Sequence, residues 1–273
     1  MLRQVDMCNG ITCDKVKDIL RKNMFYNAVH MDTLNYMEEE GRFAGGLCRE
    51  DVIVFADSCL HHANAQDEKN NVYVCPLKKD FDYVDVLRFI GKTFSAQSVS
   101  VDIHLLEADV AEDVRIKFSS LLPYRREIKD YVCVAKNETA TKDSSVRELT
   151  VEDKDAFCDA GFAVMPNRPP MSVLFNVYVK NKAGKILGYF ENRKILGYLS
   201  YQRLYENVFD IDYIYVSKEQ RGRGIGTALG RKYAGYVDAQ KGMALWSNAK
   251  SKESESTAMA CGFVAGRRAF LFS

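Results

Sequence analysis

A chain of 273 residues is long enough for two cores of roughly 100 to 150 residues each. With 38 basic residues against 37 acidic ones the net charge is +1, so no global field argues for nucleic acid or for an anionic membrane surface as a partner. No apolar run of about 18 residues occurs and the opening residues, Met1 to Asp6, hold no apolar signal core, so the protein is expected in the cytoplasm with its eight cysteines reduced.

In the first half, Cys8 and Cys13 are the closest cysteine pair, but no second pair follows at zinc-site spacing. His61 and His62 are adjacent, and neighbours in a strand point to opposite faces. No metal site is expected. Residues 46–56 are predicted to form strand, turn and strand, residues 71–76 a further strand, and Val84, Val86, Leu87 and Ile90 fall at helical spacing. Between that strand and that helix lies Leu77-Lys78-Lys79-Asp80-Phe81-Asp82, without a glycine. The polar stretch 136–145 lacks apolar periodicity and reads as a linker, which divides the chain into domains at 1–140 and 145–273.

In the second half, residues 146–153 predict a strand running into a helix, with Thr150 as N-cap and Asp153 three residues on. Pro166, Pro169 and Pro170 rule out regular helix around them. Residues 188–198 read as a hairpin, 209–216 as a strand rich in β-branched and aromatic side chains, and 243–247 as another strand. After Val216 comes Arg221-Gly222-Arg223-Gly224-Ile225-Gly226-Thr227, and then Ala228, Leu229, Tyr233 and Val237 recur with Ile225 at helical spacing. The first amides of a helix have no partner within it, and the helix dipole makes that end attractive to an anion. Gly222, Gly224 and Gly226 allow close backbone approach, and Arg221 and Arg223 add positive charge. The segment reads as a phosphate cradle. It lacks the Lys followed by Ser or Thr of a Walker loop, and its glycine spacing is not that of a dinucleotide fold.

The run Arg-x-x-Gly-x-Gly at Arg221, Gly224 and Gly226, placed just beyond a strand, resembles the acyl-CoA signature of the GNAT N-acetyltransferase superfamily. The likeness extends from about residue 145 to 273, taking in the hairpin, the strand 243–247 and the Gly262-Phe263 pair. It implies an α+β fold with a mixed sheet flanked by helices, and acetyl-CoA or another acyl-CoA as cofactor. It further implies that backbone groups of Ile214, Tyr215 and Val216 hold the thioester and pantetheine, that residues 221–227 hold the pyrophosphate, and that Asn248, Ser251 and Ser254 stand near the pantetheine. Ser251 and Ser254 also suit helix N-capping. The first half forms a second α+β domain, either a degenerate copy that has lost its phosphate loop or an unrelated α+β unit.

All four histidines lie in the first half, so within the second half the proton acceptor is expected from carboxylates. The family's glutamate position falls on Asp210; Asp212 shares its strand face unless a bulge intervenes. Both also fit solvated strand carboxylates. The family's usual tyrosine acid is replaced by Ala258. The expected activity is direct acyl transfer to the amine of a small molecule or peptide; the alternative is a catalytically silent CoA-binding or sensor module. Neither the acceptor nor the oligomeric state is written in the sequence.

Overall fold

The computed structural model describes residues 12–41, 43–57, 70–78, 81–93, 99–105, 111–119, 122–134, 145–162, 169–182, 184–247 and 251–272. The chain forms two compact units, Met1–Lys129 with Gly266–Ser273, and Asp130–Ala265. The linker expected at 136–145 lies, up to residue 144, outside the described residues, as do His61, His62 and Cys8.

The first unit opens with α1 (Cys13–Leu20), where the Thr12 hydroxyl accepts from the Lys15 amide, and α2 (Met24–Glu39). Strands β1 (Phe43–Cys48), β2 (Val52–Asp57) and β3 (Asn70–Pro76) pair antiparallel in turn. The helix α3 (Tyr83–Thr93) then crosses over to β4 (Val99–Leu105), which runs parallel to β3, as a parallel pair requires. Next come α4 (Ala111–Ser119) and β5 (Tyr124–Val134). All of β2 is buried, the mark of a strand covered on both faces.

The second unit contains β6 (Val146–Glu148), a 3₁₀ turn leading into α5 (Lys154–Cys158), α6 (Met171–Phe175), β7 (Lys185–Glu191), β8 (Lys194–Tyr205) and β9 (Val208–Val216). It continues through α7 (Ile225–Ala239), β10 (Met243–Trp246) and α8 (Lys252–Ala260). The expected capping pair forms, with the Thr150 amide donating to Asp153 at 2.8 Å. The expected hairpin turns on Asn192 and Arg193, both at positive φ (49° and 64°), the two-residue mirror-image turn that matches strand twist. Strands β6 to β9 are antiparallel neighbours, and β10 runs parallel to β9. One face packs on α7 through Leu199, Phe209, Ile211, Leu229 and Tyr233. The other packs on α5 and α6 through Phe157, Leu174, Phe175, Tyr198 and Tyr215.

Each unit takes its last strand from the other half of the sequence. Residues 131–134 of β5 pair antiparallel with β10. The final strand, β11 (Val264–Phe272), pairs its residues 268–272 with β4, and Phe270 and Phe272 complete the first unit's core with Val101, Ile103 and Phe118. Among the described residues no helix is long and apolar enough to cross a membrane.

Candidate functional site

Strands β9 and β10 stay together for only three residue pairs, Val208 with Met243, Phe209 with Ala244 and Asp210 with Leu245. At that point the Asp210 carboxylate takes over from the ladder. It accepts from the Ser247 hydroxyl at 2.6 Å, the Ser247 amide at 3.2 Å and the Ile211 amide at 2.8 Å. Beyond it, among the described residues, the rest of β9 up to Val216 pairs with β8 alone. A cavity of about 830 Å³ lies along Ile214, Tyr215 and Val216 on one side and Trp246, Ser254 and Thr257 on the other, within the usual size of a ligand cleft.

The start of α7 closes one end of this cavity. Gly224, the residue before the helix, sits at φ 80°, and Gly222 at 78°, a left-handed backbone that a side chain adopts only at a cost. A Cβ at either position would meet no atom of the described residues within 4 Å, so these residues leave the space in front of the turn open. The first helical bond is that of the Ala228 amide to the Gly224 carbonyl, at 2.9 Å. The amides of Ile225, Gly226 and Thr227 therefore have no acceptor within the helix, and all three residues line the cavity. Arg221 lines it as well, with its Nε donating to the Val216 carbonyl at 3.3 Å. The buried Tyr215 ring belongs to the α5/α6 core, which leaves its backbone to serve the cavity.

Asp210 and Asp212 lie on the α5/α6 face of β9. The register against β8 shifts there, Ser200 facing Tyr213 and Tyr201 facing Ile211, so Asp212 is the extra residue of a bulge. The bulge falls beyond Asp210 and keeps both carboxylates on one side. Asp212 accepts from the Tyr178 hydroxyl at 2.5 Å and from Gln202 Nε2 at 3.0 Å. Burial, and then the hydrogen bond to Asp212, hold the Tyr178 hydroxyl above its ordinary pKa. The Asp210 carboxyl is pushed up to about 7, chiefly by burial; the Ser247 hydrogen bond opposes this and the charges of Asp130 and Asp212 add to it.

Among the residues expected around the cofactor, Ile214 to Val216, Arg221, Gly222, Gly224 to Thr227, Ser251 and Ser254 all border the cavity. Ser251 is also the N-cap of α8, accepting from the Ser254 amide at 3.2 Å. Arg223 is turned away: it pairs with Glu191 at 2.7 Å and also donates to Gln220. Asn248 lies outside the described residues. Ala258 is fully buried in the core beneath α7. Gln220, Lys252, Glu253, Ser256 and Thr257, which no sequence motif singles out, also line the cavity. The small hydroxyl residues Ser254 and Thr257, three apart on α8, were the available signal. Trp246 is both core and wall, its Nε1 donating to Ser254 at 3.1 Å. Tyr178, Gln202 and Ser247 are likewise beyond the reach of sequence reasoning, since nothing in local spacing ties them to β9. Among the described residues no cluster of metal-ligating side chains forms.

A splayed parallel strand pair over a glycine-opened helix defines the second unit as a mixed α+β domain with a cleft at the start of that helix. Residues 147–263 match the model of the acetyltransferase (GNAT) family. A GCN5-related N-acetyltransferase from Sphaerobacter thermophilus shares 14% identity over 96% of this chain and 92% of its own, with a TM-score of 0.60. A GNAT-family acetyltransferase from Colwellia psychrerythraea shares 13% over 84% of each chain, at 0.52. A Drosophila protein shares 12% over 96% of this chain and 97% of its own, also at 0.52. At such identities the likeness is one of fold. No curated protein sequence matches the chain. Residues 147–263 are thus a GNAT acetyltransferase domain, of a family whose general chemistry is acyl transfer from acyl-CoA.

Proposed function

We propose that the protein is an N-acyltransferase that moves an acetyl or related acyl group from acyl-CoA directly to the primary amine of a small molecule or peptide. The observation that carries this reading is the open cleft along β9 with the glycine-opened start of α7 at one end; the Asp210 carboxylate sits where β9 and β10 part, behind the residues that line the cleft. The residues fit acyl-CoA. Arg221 and the amides of residues 225–227 would hold its pyrophosphate, the left-handed glycines leave room for it, and Ile214 to Val216 would hold the pantetheine arm along the strand. When bound, acyl-CoA supplies the thioester carbonyl that is attacked.

Asp210 receives the amine proton. A group that titrates near neutrality combines a fair fraction of the base form with real proton affinity. An aspartate reaches less far than the family's glutamate, and the Ser247 hydroxyl, 2.6 Å from Asp210, extends that reach as a relay. Asp212, gripped by Tyr178 and Gln202, orients the acceptor side. With Ala258 in the tyrosine position, the thiolate leaves without a dedicated acid, which the ordinary acidity of an alkyl thiol permits. Thiol release from acetyl-CoA against a panel of amino acids, polyamines, aminoglycosides and peptide N-termini tests the reading. Turnover with one class is the expected result; acetyl-CoA binding with no turnover across the panel would favour a silent CoA-binding module.

A further inference from the structure

The segment matched by the family model begins at residue 147, yet β5, earlier in the chain, completes the strand order at the splay. Trp246 lies opposite Tyr131 and Leu245 opposite Val132. One step further along this register sets Asp130 across from Ser247, whose amide and hydroxyl both donate to Asp210. Tyr131 and Trp246 belong to the α7 core, so strand alternation turns Asp130 to the other face, the face of Asp210 and Asp212. Asp130 is 3% exposed, a rare degree of burial for a carboxylate. We propose that Asp130 is a positioning residue for Asp210, acting on its proton from β5 across Ser247. The proposal rests on the reading of Asp210 as the proton acceptor.

The physical basis is like-charge repulsion in a poorly solvated place. Two neighbouring buried carboxylates resist being ionised together, so the charge of one favours a proton on the other. The groups facing Asp210 come from every surrounding element: Asp130 on β5, Asp212 on β9, Tyr178 through Asp212, and Ser247 after β10. From α7 comes the Tyr233 hydroxyl, which donates to the Phe209 and Leu245 carbonyls at 2.8 and 3.2 Å. Asp130 and Asp212 both act to raise the Asp210 pKa. Of the two, Asp212 lies on the same strand as Asp210, and Asp130 is the one that a different strand, paired with β10, brings to the site.

An infrared pH titration of the full chain, following the C=O stretch of a protonated carboxyl group, reads this without any amine substrate. Wild type should show a band that vanishes with a midpoint near 7 and is missing from Asp210→Asn. In Asp130→Asn that midpoint should fall by about one pH unit or more, and in Asp130→Glu, which keeps the charge, it should return toward wild type. Stabilisation by acetyl-CoA should persist in both Asp130 variants. An unchanged midpoint in Asp130→Asn overturns the proposal, as does a midpoint in Asp130→Glu as low as that of Asp130→Asn. Should the Asn variant not fold, Asp130→Ser removes the same charge with a smaller side chain, and an unchanged midpoint there overturns the proposal. The reading of Asp210 as base fails separately, through full turnover by Asp210→Asn.

Discussion

Asp210 is held against its own stability. Its folded-state pKa of about 7 stands above the reference value of 3.8. The stability it lends is therefore complete below the unfolded pKa and is lost as pH rises through about 7. Asp210→Asn removes the ionisation, so at about pH 8 the variant should unfold at higher denaturant than wild type, by up to a few kcal/mol, with the gap closing toward pH 4. Equal midpoints at both pH values would show that burial does not tax this carboxylate. The same substitution should lower kcat about a hundredfold while acetyl-CoA still raises the melting temperature. The wild-type rise of kcat/KM through pH 7 should vanish, leaving only the ionisation of the amine. An Asp210→Asn enzyme with wild-type kcat at neutral pH would move the role elsewhere. The position of Asp210 was legible from its distance to Val216. Its partners were not, because Ser247 reaches it only after α7 and β10 have returned the chain to the same sheet.

At the scale of the element, the turn between β9 and α7 carries the ligand prediction. Gly224→Val should cost about 1 to 2 kcal/mol for the left-handed backbone and should abolish stabilisation by acetyl-CoA, because the new side chain fills the open space before the helix amides. Gly41 offers a matched control, at φ 63° with the same open surroundings in the other unit. Gly41→Val should lose similar stability and keep the acetyl-CoA response; loss of the response in both variants would mean that Gly224 acts through stability alone. Gly230, inside α7, has the opposite character. A Cβ there would stand 2.6 Å from Cys261 Sγ and 2.9 Å from the Trp246 ring. Gly230→Ala gains about 1 kcal/mol of helix propensity but forces α7 off its packing, for a net loss of about 1 to 3 kcal/mol in chemical denaturation. Gly224 announces itself through the motif, whereas Gly230 resembles any helix glycine until the fold presses Cys261 against it.

For the whole molecule, the two units repeat one succession, three antiparallel strands, a crossover helix and a parallel fourth strand, but differ at the helix start. In the first unit the Asp82 amide already donates to Asp51 at 2.9 Å and the Asp85 amide to Asp82 at 3.1 Å. Arg49 is paired with Asp51 and Asp85. These carboxylates occupy donors that a pyrophosphate would need and would repel it. Calorimetric titration of the full chain with CoA should give one site, and a stoichiometry of two would refute this. The exchanged strands carry a further expectation. A fragment spanning 122–265 keeps β5 beside β10 and should fold and gain stability from acetyl-CoA; one starting at 145 leaves the β10 edge unpaired and should not. Equal behaviour of the two fragments in thermal melts would show that β5 is dispensable.

Much that depends on near neighbours could be read from the chain alone: the strands at 71–76, 209–216 and 243–246, the hairpin turning at 192–193, the capping pair at Thr150 and Asp153, and a glycine turn whose chemistry is that of backbone amides, whereas β4 and β5 had no such signal. Whatever depends on residues far apart in the chain waited for the packed fold. Folding turned Arg223 to Glu191 and away from the cleft, placed a bulge at Asp212, and carried β5 and β11 into the unit built by the other half. The reason is physical. Periodicity and turn chemistry act over a few residues, whereas the partner of an edge strand and the charge beside a buried carboxylate are chosen by which surfaces the packed cores leave to be covered.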